Sequence, residues 1–352
     1  MKKVILTGGG TAGHVTPNIA LLPELKNRNY EVLYIGSYEG MEKGLIEDVG
    51  LPYVGISSGK LRRYFDWKNF SDPFRVIKGY FEAKKILKKE KPSAVFSKGG
   101  FVSVPVVLAA KALHIPAVIH ESDITPGLAN KIAMRGATKI CCNFPETVKY
   151  LPADKAVLSG CPIRKELLSG SRDKALEFTG LSGNKPILLI IGGSLGSVFV
   201  NNAVRGSLDE LLKDFEIIHL CGKGNLDESL NNRTGYVQYE FISDELPDLF
   251  AAAEVVISRA GANAICELLA LQKPNILVPL SLNASRGDQI LNARSFESQG
   301  FSYVIEDEQV TADSLLSAVK DVYKDREKYK SAMSQSGQAD PIKTIVDLID
   351  SL

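Results

Sequence analysis

The strongest constraint on the fold is a device that this chain uses twice: an apolar strand, a glycine turn and a helix. Residues 4–21 read VILT-GGGTAGHVTP-NIAL. Val4 to Thr7 suit a short buried strand. Gly8, Gly9, Gly10 and Gly13 then turn the chain, and Thr16 is placed to cap a helix with Pro17 at its first position. Residues 187–191 (ILLII) form a second continuous apolar run, fit for a central parallel strand. Gly192, Gly193, Ser194 and Gly196 follow it, and a helical stretch starts at Ser197. Glycines let a ligand approach the backbone, and a helix start offers free N–H groups and a positive dipole end. Such a turn suits a phosphate or diphosphate, and His14 places a titratable base beside it.

Two such openings predict an α/β chain with two Rossmann-like parallel-sheet domains facing a central cleft. The spacing Gly8-x-Gly10-x-x-Gly13 also meets the dinucleotide fingerprint, with Glu39 as a rough acidic partner. A nicotinamide-linked dehydrogenase therefore stays open, as does a turn that merely closes a βα unit. A simple dehydrogenase, however, needs only one such turn.

The length of 352 residues favours two domains. A net charge of +1 provides no global field for nucleic acid. Five cysteines without a CxxC pair, and a start too short in apolar residues for a secretion signal, suit a reduced cytoplasmic setting. The stretch 104–119 comes nearest to a membrane span but is broken by Lys111 and His114.

Strands are expected at 31–36, 52–56, 95–97 and 117–120, each separated by helical sequence. Residues 59–91 break this rhythm. They hold eleven Lys or Arg and four acids, with Trp67 and six other Phe or Tyr interleaved. Basic residues beside aromatics suit an anionic membrane surface. Two rivals remain: stacking on nucleic-acid bases, and a solvated helix whose aromatics pack inward. Ser97-Lys98-Gly99-Gly100 is another glycine turn before a helix, hence another candidate anion site. His120-Glu121-Ser122-Asp123 follows a strand end, where chemistry or a local structural hydrogen bond would both fit. The segment 159–164 resembles an interdomain link before a new helix, with Arg164 at the hinge.

In the second half, 216–220, 237–241, 255–257 and 275–278 are strand-like. The turn after 255–257 leads into a helix carrying Ala262 and Glu267, and Glu267 could chelate a ribose diol. Asp288 and Gln289 open a further helix, and the last helix (342–352) could return to brace the first domain. No DxD, HxxxH or GxxxxGK[ST] motif is present, so no metal site or P-loop is expected.

The segments GGGTAGHVTP, SKGGFVS, HESDITPGLANK, GGSLGS, RAGANAICE and DQILNARS occur in the order seen in the MurG family, and the chain resembles that family from Met1 to about Pro341. The family comprises the UDP-N-acetylglucosamine:lipid I N-acetylglucosaminyltransferases of peptidoglycan synthesis. The resemblance implies a GT-B fold, with residues 1–161 and 338–352 facing acceptor and membrane and 162–337 binding the nucleotide sugar. It implies inverting hexosyl transfer to the 4-hydroxyl of undecaprenyl-diphosphate-linked MurNAc-pentapeptide, with no cofactor, no metal and no nucleic-acid partner. His14 would be the catalytic base or a diphosphate ligand. Thr11, Ala12, Gly13, Asp123, Arg164, Ser194, Ile242, Ala262, Glu267 and Gln289 would contact the donor. Gly99 and Gly100 would hold the lipid diphosphate, and residues 60–91 would bring the enzyme to the cytoplasmic face of the cell membrane. The chain departs from the family pattern at Asp123, where many members carry Asn in HEQN, and at Asp288, where many carry Gln. A dehydrogenase, a sugar-nucleotide binding module, and a GT-B epimerase or a transferase with another acceptor are the competing expectations.

Overall fold

The computed structural model describes residues 2–59, 68–193, 196–283, 286–337 and 340–352, with residues 68–71 and 73 as backbone alone. The chain divides into two compact units, Met1–Arg164 with Gln338–Leu352, and Lys165–Gly337.

In the first unit the strands are β1 (Lys2–Thr7), β2 (Tyr30–Ser37), β3 (Tyr53–Ile56), β4 (Ala94–Ser97), β5 (Ala117–Glu121), β6 (Lys139–Cys142) and β7 (Ala156–Leu158). The helices between them are α1 (Thr16–Asn27), α2 (Met41–Asp48), α3 (Lys68–Glu90), α4 (Ser103–Ala112) and α5 (Leu128–Ala133). Among the described residues the strands form one parallel sheet in the order β3-β2-β1-β4-β5-β6-β7. Alternation along the strands feeds two cores. Ile5, Ile35, Val95 and Ile119 face Ala83 and Leu87 of α3 and Val106, Val107 and Ala110 of α4. Val4, Leu6, Tyr34, Phe96 and Val118 face Leu21 and Leu25 of α1 on the other side. A sheet covered on both faces needs strands that are apolar throughout, which is how Val4–Leu6 read.

The second unit repeats the plan with β8 (Ile187–Ile191), β9 (Glu216–Leu220), β10 (Tyr236–Tyr239), β11 (Ala253–Ser258), β12 (Asn275–Leu277) and β13 (Tyr303–Val304). Its helices are α6 (Arg172–Thr179), α7 (Val198–Gly206), α8 (Leu208–Asp214), α9 (Leu246–Ala252), α10 (Ala262–Ala270), α11 (Asp288–Ser298), α12 (Ala312–Lys324) and α13 (Arg326–Ser334). Its described strands run β10-β9-β8-β11-β12-β13, all parallel. The final helix, α14 (Pro341–Asp350), belongs to the first unit: Ile342, Ile345, Val346 and Ile349 complete the core around α1.

In both sheets the chain order reverses beside the first strand, between β1 and β4 and between β8 and β11. At such a switch point the loops leaving two adjacent strands diverge and open a crevice at the carboxyl ends. Three local expectations are corrected. Thr16 does not cap α1: Val15 precedes the helix, Thr16 is its first residue, and the Thr16 hydroxyl donates to Ala12 O at 3.2 Å. The reason is a 3-10 turn, Ala12–His14, that runs straight into α1, so early N–H groups already meet carbonyls. The segment after Arg164 is a 3-10 turn (Lys165–Ser169) rather than a helix. The aromatics of α3 do not all pack inward: Phe74 and Phe81 are exposed.

Candidate active site

The turn after β1 is built around a carboxylate. Glu42, the second residue of α2, is buried and accepts from Ser37 N at 3.0 Å, Ser37 Oγ at 2.5 Å and Gly10 N at 3.2 Å. A Cβ at Gly9 or Gly40 would run into that carboxylate, which explains why glycine occupies both positions. In a dinucleotide site the N–H groups of this turn would face a diphosphate. Here Glu42 takes the Gly10 N–H and adds negative charge, and Glu39, the fingerprint's acidic partner, lies exposed in the turn after β2. The geometry disfavours the nicotinamide reading.

His14 closes the turn. Its Nδ1 lies 3.0 Å from Gly9 O and 3.2 Å from Thr11 Oγ1. A carbonyl oxygen can only accept, so Nδ1 carries the hydrogen and Nε2 keeps its lone pair. Protein around the ring withdraws it from water and the Lys98 ammonium adds repulsion, which together lower its pKa to about 4 against the weaker pull of Gly9 O and Glu42. The ring is therefore neutral at physiological pH, with a proton-accepting nitrogen.

The second glycine turn lies against the first because β4 pairs with β1. Gly99 and Gly100 adopt φ of +104° and +85°, where side chains are strained. A Cβ at Gly100 would overlap the Gly9 carbonyl, and the Cβ position of Gly99 lies 3.5 Å from His14 Cδ2. Lys98, which precedes them, is 1% exposed and donates to His120 Nδ1 at 2.8 Å and Ser122 Oγ at 2.5 Å. That leaves His120 Nε2–H to donate to Gly160 O at 2.9 Å. Complete burial and the Lys98 charge hold the His120 pKa well below the ordinary imidazole value.

Glu121 shapes the loop that follows β5. One carboxylate oxygen accepts from the backbone N–H of Ser122 (2.9 Å) and Asp123 (3.1 Å), the other from Gly127 N (3.0 Å) and Asn130 Nδ2 (2.8 Å). Burial raises its pKa despite these donors. His120 and Glu121 are thus engaged in structural hydrogen bonds, and Glu121 presents Asp123 through the backbone. The structure brings Thr11, Ala12, Gly13, His14, Gly99 and Gly100 onto the carboxyl edge of the sheet at β1 and β4, with Asp123 on the β5 loop beyond. Arg164 ends the first unit, and its buried Nε finds no partner among the described residues.

In the second unit the turn after β8 is described except for Ser194, which lies outside the described residues together with Leu195. That turn is linked to the one after β11: Arg259 donates to Ser197 Oγ at 2.5 Å, to Val278 O at 3.0 Å and to Asp307 Oδ1 at 2.6 Å. Ser197 also accepts from Val200 N as the cap of α7. Ala262 begins α10 and is buried; Glu267 lies on the second turn of the same helix, half-buried. Ile242 is buried just beyond β10. Gln289, second in α11, accepts from Leu280 N at 3.1 Å, which turns its amide nitrogen into the group left to donate. Asp288 pairs with Arg286 at 2.6 Å, so the carboxylate that departs from the family pattern carries its own counter-charge. Sequence reasoning gave no role to Glu42, Lys98 or Arg259. Lys98 and Arg259 stood inside recognised segments, whereas nothing local to Glu42 signals the loop above it.

Two doubly wound parallel sheets, each with paired small-residue turns at its switch point, form the architecture of GT-B glycosyltransferases. The chain matches the glycosyltransferase family 28 N-terminal domain over residues 4–142 and the family 28 C-terminal domain over residues 187–349. It is 66% identical to a Lachnospira eligens protein over 349 residues (99% of each chain) and 64% identical to one from Lachnoclostridium phytofermentans over 352 residues (100% and 99%). Both relatives carry the name UDP-N-acetylglucosamine–N-acetylmuramyl-(pentapeptide) pyrophosphoryl-undecaprenol N-acetylglucosamine transferase. The crystal structure of Acinetobacter baumannii MurG aligns over 100% of both chains with a TM-score of 0.77 at 26% identity. The chain belongs to the MurG family of family 28 glycosyltransferases.

Proposed function

We infer that this protein transfers N-acetylglucosamine from UDP-N-acetylglucosamine to lipid I, the undecaprenyl-diphosphate-linked MurNAc-pentapeptide, and so makes lipid II for peptidoglycan. Its full-length kinship with transferases of that name carries the reading. In the proposed mechanism the acceptor's 4-hydroxyl attacks the anomeric carbon while His14 Nε2 removes its proton. The bond from that carbon to the diphosphate oxygen breaks, and UDP leaves with the electron pair. In-line attack inverts the anomeric centre. Neutral His14, with Nδ1 engaged by Gly9 O, has the protonation state this role requires. Gly99 and Gly100 are assigned to the lipid diphosphate. Thr11, Ala12, Gly13, Asp123, Arg164, Ser194, Ile242, Ala262, Glu267 and Gln289 are assigned to the donor, with Glu267 at the ribose and Gln289 at the sugar hydroxyls. Leaving-group charge falls to helix N-termini, Arg164 and Ser194.

We further propose peripheral attachment to the cytoplasmic face of the cell membrane. No described helix is long and apolar enough to cross a membrane. On α3, however, Phe74, Ile77 and Phe81 project outward at one-turn spacing, 74%, 55% and 63% exposed, on a helix that also carries Lys84, Lys85, Lys88 and Lys89. An apolar stripe flanked by lysines suits insertion among anionic headgroups. Residues 60–67 of the basic segment lie outside the described residues.

The deciding assay is transfer of labelled N-acetylglucosamine from UDP to lipid I in detergent with EDTA present. Lipid-linked disaccharide is the expected product. Donor binding without product would send the acceptor assignment to another class of lipid or sugar, and activity that EDTA abolishes would overturn the metal-independent mechanism.

A further inference from the structure

In the second unit one guanidinium reaches three separate segments of chain. Arg259 follows β11, and its Nη1 donates to Val278 O just past β12 at 3.0 Å and to Asp307 Oδ1 at 2.6 Å. Both Nη1 hydrogens are then used. Nη2 donates to Ser197 Oγ at 2.5 Å. The ion pair is withdrawn from water, with side-chain exposures of 12% for Arg259 and 7% for Asp307. A buried pair of this kind adds little net stability over apolar side chains of the same size, so stability alone is a weak reason for it. Its far end lies where the chain is tightly wound. Gly196 N donates to Gly193 O at 3.0 Å, and a Cβ at Gly192 would lie 2.9 Å from Ser197 N. Ser197 closes this turn and caps α7, while Arg259 belongs to the turn that leads into α10. The anchor is fixed independently: Ile305 N donates to Leu277 O at 3.0 Å, and Glu306 pairs with Arg294 of α11.

Resting on the assignment of these two turns to the nucleotide, we propose that Asp307 is a positioning residue for the donor: it holds the Arg259 fork so that the turn after β8 and the turn after β11 keep one fixed spacing. The carboxylate acts in two ways. It supplies the counter-charge for a guanidinium that would otherwise be drawn to a bound diphosphate, and it fixes the plane of the fork, which aims Nη2 at Ser197. The braced turns serve different parts of the donor. The helix after the second turn, α10, carries Glu267, assigned to the ribose, and α7 starts on the phosphate side. The brace therefore bears on the nucleoside as well as on its diphosphate. An arginine that bound phosphate directly would bear on the diphosphate alone.

The test titrates the whole protein with UDP and with uridine by calorimetry. Asp307→Asn keeps the shape and an acceptor oxygen but removes the charge. It should raise the Kd of both ligands by about tenfold, the size of one charge-assisted hydrogen bond. Arg259→Lys, which keeps the charge without the fork, should do the same. Ser197→Ala combined with Asp307→Asn should bind UDP no worse than the poorer single variant, since both act through one guanidinium. In turnover, donor KM should rise more than kcat falls, with acceptor KM unchanged. Three results overturn the proposal: an Asp307→Asn protein whose Tm falls with both affinities unchanged, one that loses UDP but not uridine, and one that binds UDP more tightly because the freed arginine reaches the phosphates. If Asp307→Asn does not fold, Ser197→Ala decides by the same pair of ligands. Wild type that binds neither ligand overturns the donor assignment and the proposal with it, whereas wild-type binding with unmoved variants overturns the proposal alone.

Discussion

At the scale of single residues, this site is a problem in holding one imidazole neutral and aimed. His14 has its Nδ1 engaged by Gly9 O, and burial, more than the opposed charges of Lys98 and Glu42, sets its protonation. His14→Ala should lower kcat by roughly 10²–10⁴-fold with little change in donor KM, read by steady-state transfer. Near-normal turnover would remove His14 from the role of base. The obvious substitute, Glu121, is poorly placed for it, since four N–H groups occupy its oxygens. His14 was legible in the sequence because it stands inside a glycine turn. The division of labour in HESD was not, because whether a histidine or a glutamate is a catalyst or a strut depends on the atoms opposite it. For His120 those atoms are Lys98 and Gly160, far away in sequence.

At the scale of elements, α3 has two jobs. One face, Ala83 and Leu87, seals the sheet, and the opposite face shows Phe74, Ile77 and Phe81 to solvent. The composition of this segment pointed to an anionic surface, but only the placement of the helix on the sheet separates the inward apolar residues from the outward ones. Charge reversal of Lys84, Lys85, Lys88 and Lys89 should weaken flotation with anionic liposomes, each lysine near the surface being worth about 1 kcal/mol. Transfer to acceptor in detergent should be retained. Unchanged flotation of that variant at low salt would remove α3 as the membrane element. The strands β6, β7 and β13 show the opposite limit: short, and edge-placed or nearly so, they carry too few residues for a period to be read.

At the scale of the whole molecule, the chain ends where it begins. Arg28 binds Asp347 at 2.6 Å and Asp350 at 2.7 Å, and Tyr30 donates to Asp350 at 2.6 Å, which fastens α14 beside α1 and β2. These partly exposed pairs add little each; the weight lies in the four buried aliphatics of α14. Ile345→Ala should cost about 2–5 kcal/mol of unfolding free energy, measured by urea titration. Stability should also fall in acid. His14, His120 and His219 are kept neutral, at about 4, well below the ordinary range and about 3 respectively, in each case chiefly by burial. Their folded values lie below the unfolded one, so their contribution is present above pH 6.5 and is lost as pH falls from about 6.5, down to about 4 for His14 and about 3 for His219. Asp347 and Asp350 are held low by hydrogen bonds from Arg28 and Tyr30, respectively, and continue the loss at lower pH. Glu121, raised by burial, acts in the opposite sense: its contribution is present in acid and is lost as pH rises through its folded value. A Tm that holds constant from pH 7 to 4.5 would contradict the histidine assignment.

The sequence by itself determined that there are two strand–glycine–helix openings, that the sheets are parallel and covered on both faces, and which family the ordered segments belong to. These are local facts: apolar runs encode burial, glycines encode turns, and both are written within a few residues. Only the tertiary structure decided that the turn after β1 and the turn after β4 share one edge, that Glu42 lies under the first and Lys98 under the second, and that α14 returns to the first core. Strand pairing joins residues about ninety positions apart, and the field at His14 is set by side chains that the pairing brings together. A local pattern carries no information about that field, because charge acts through space and the chain's folding sets the distances.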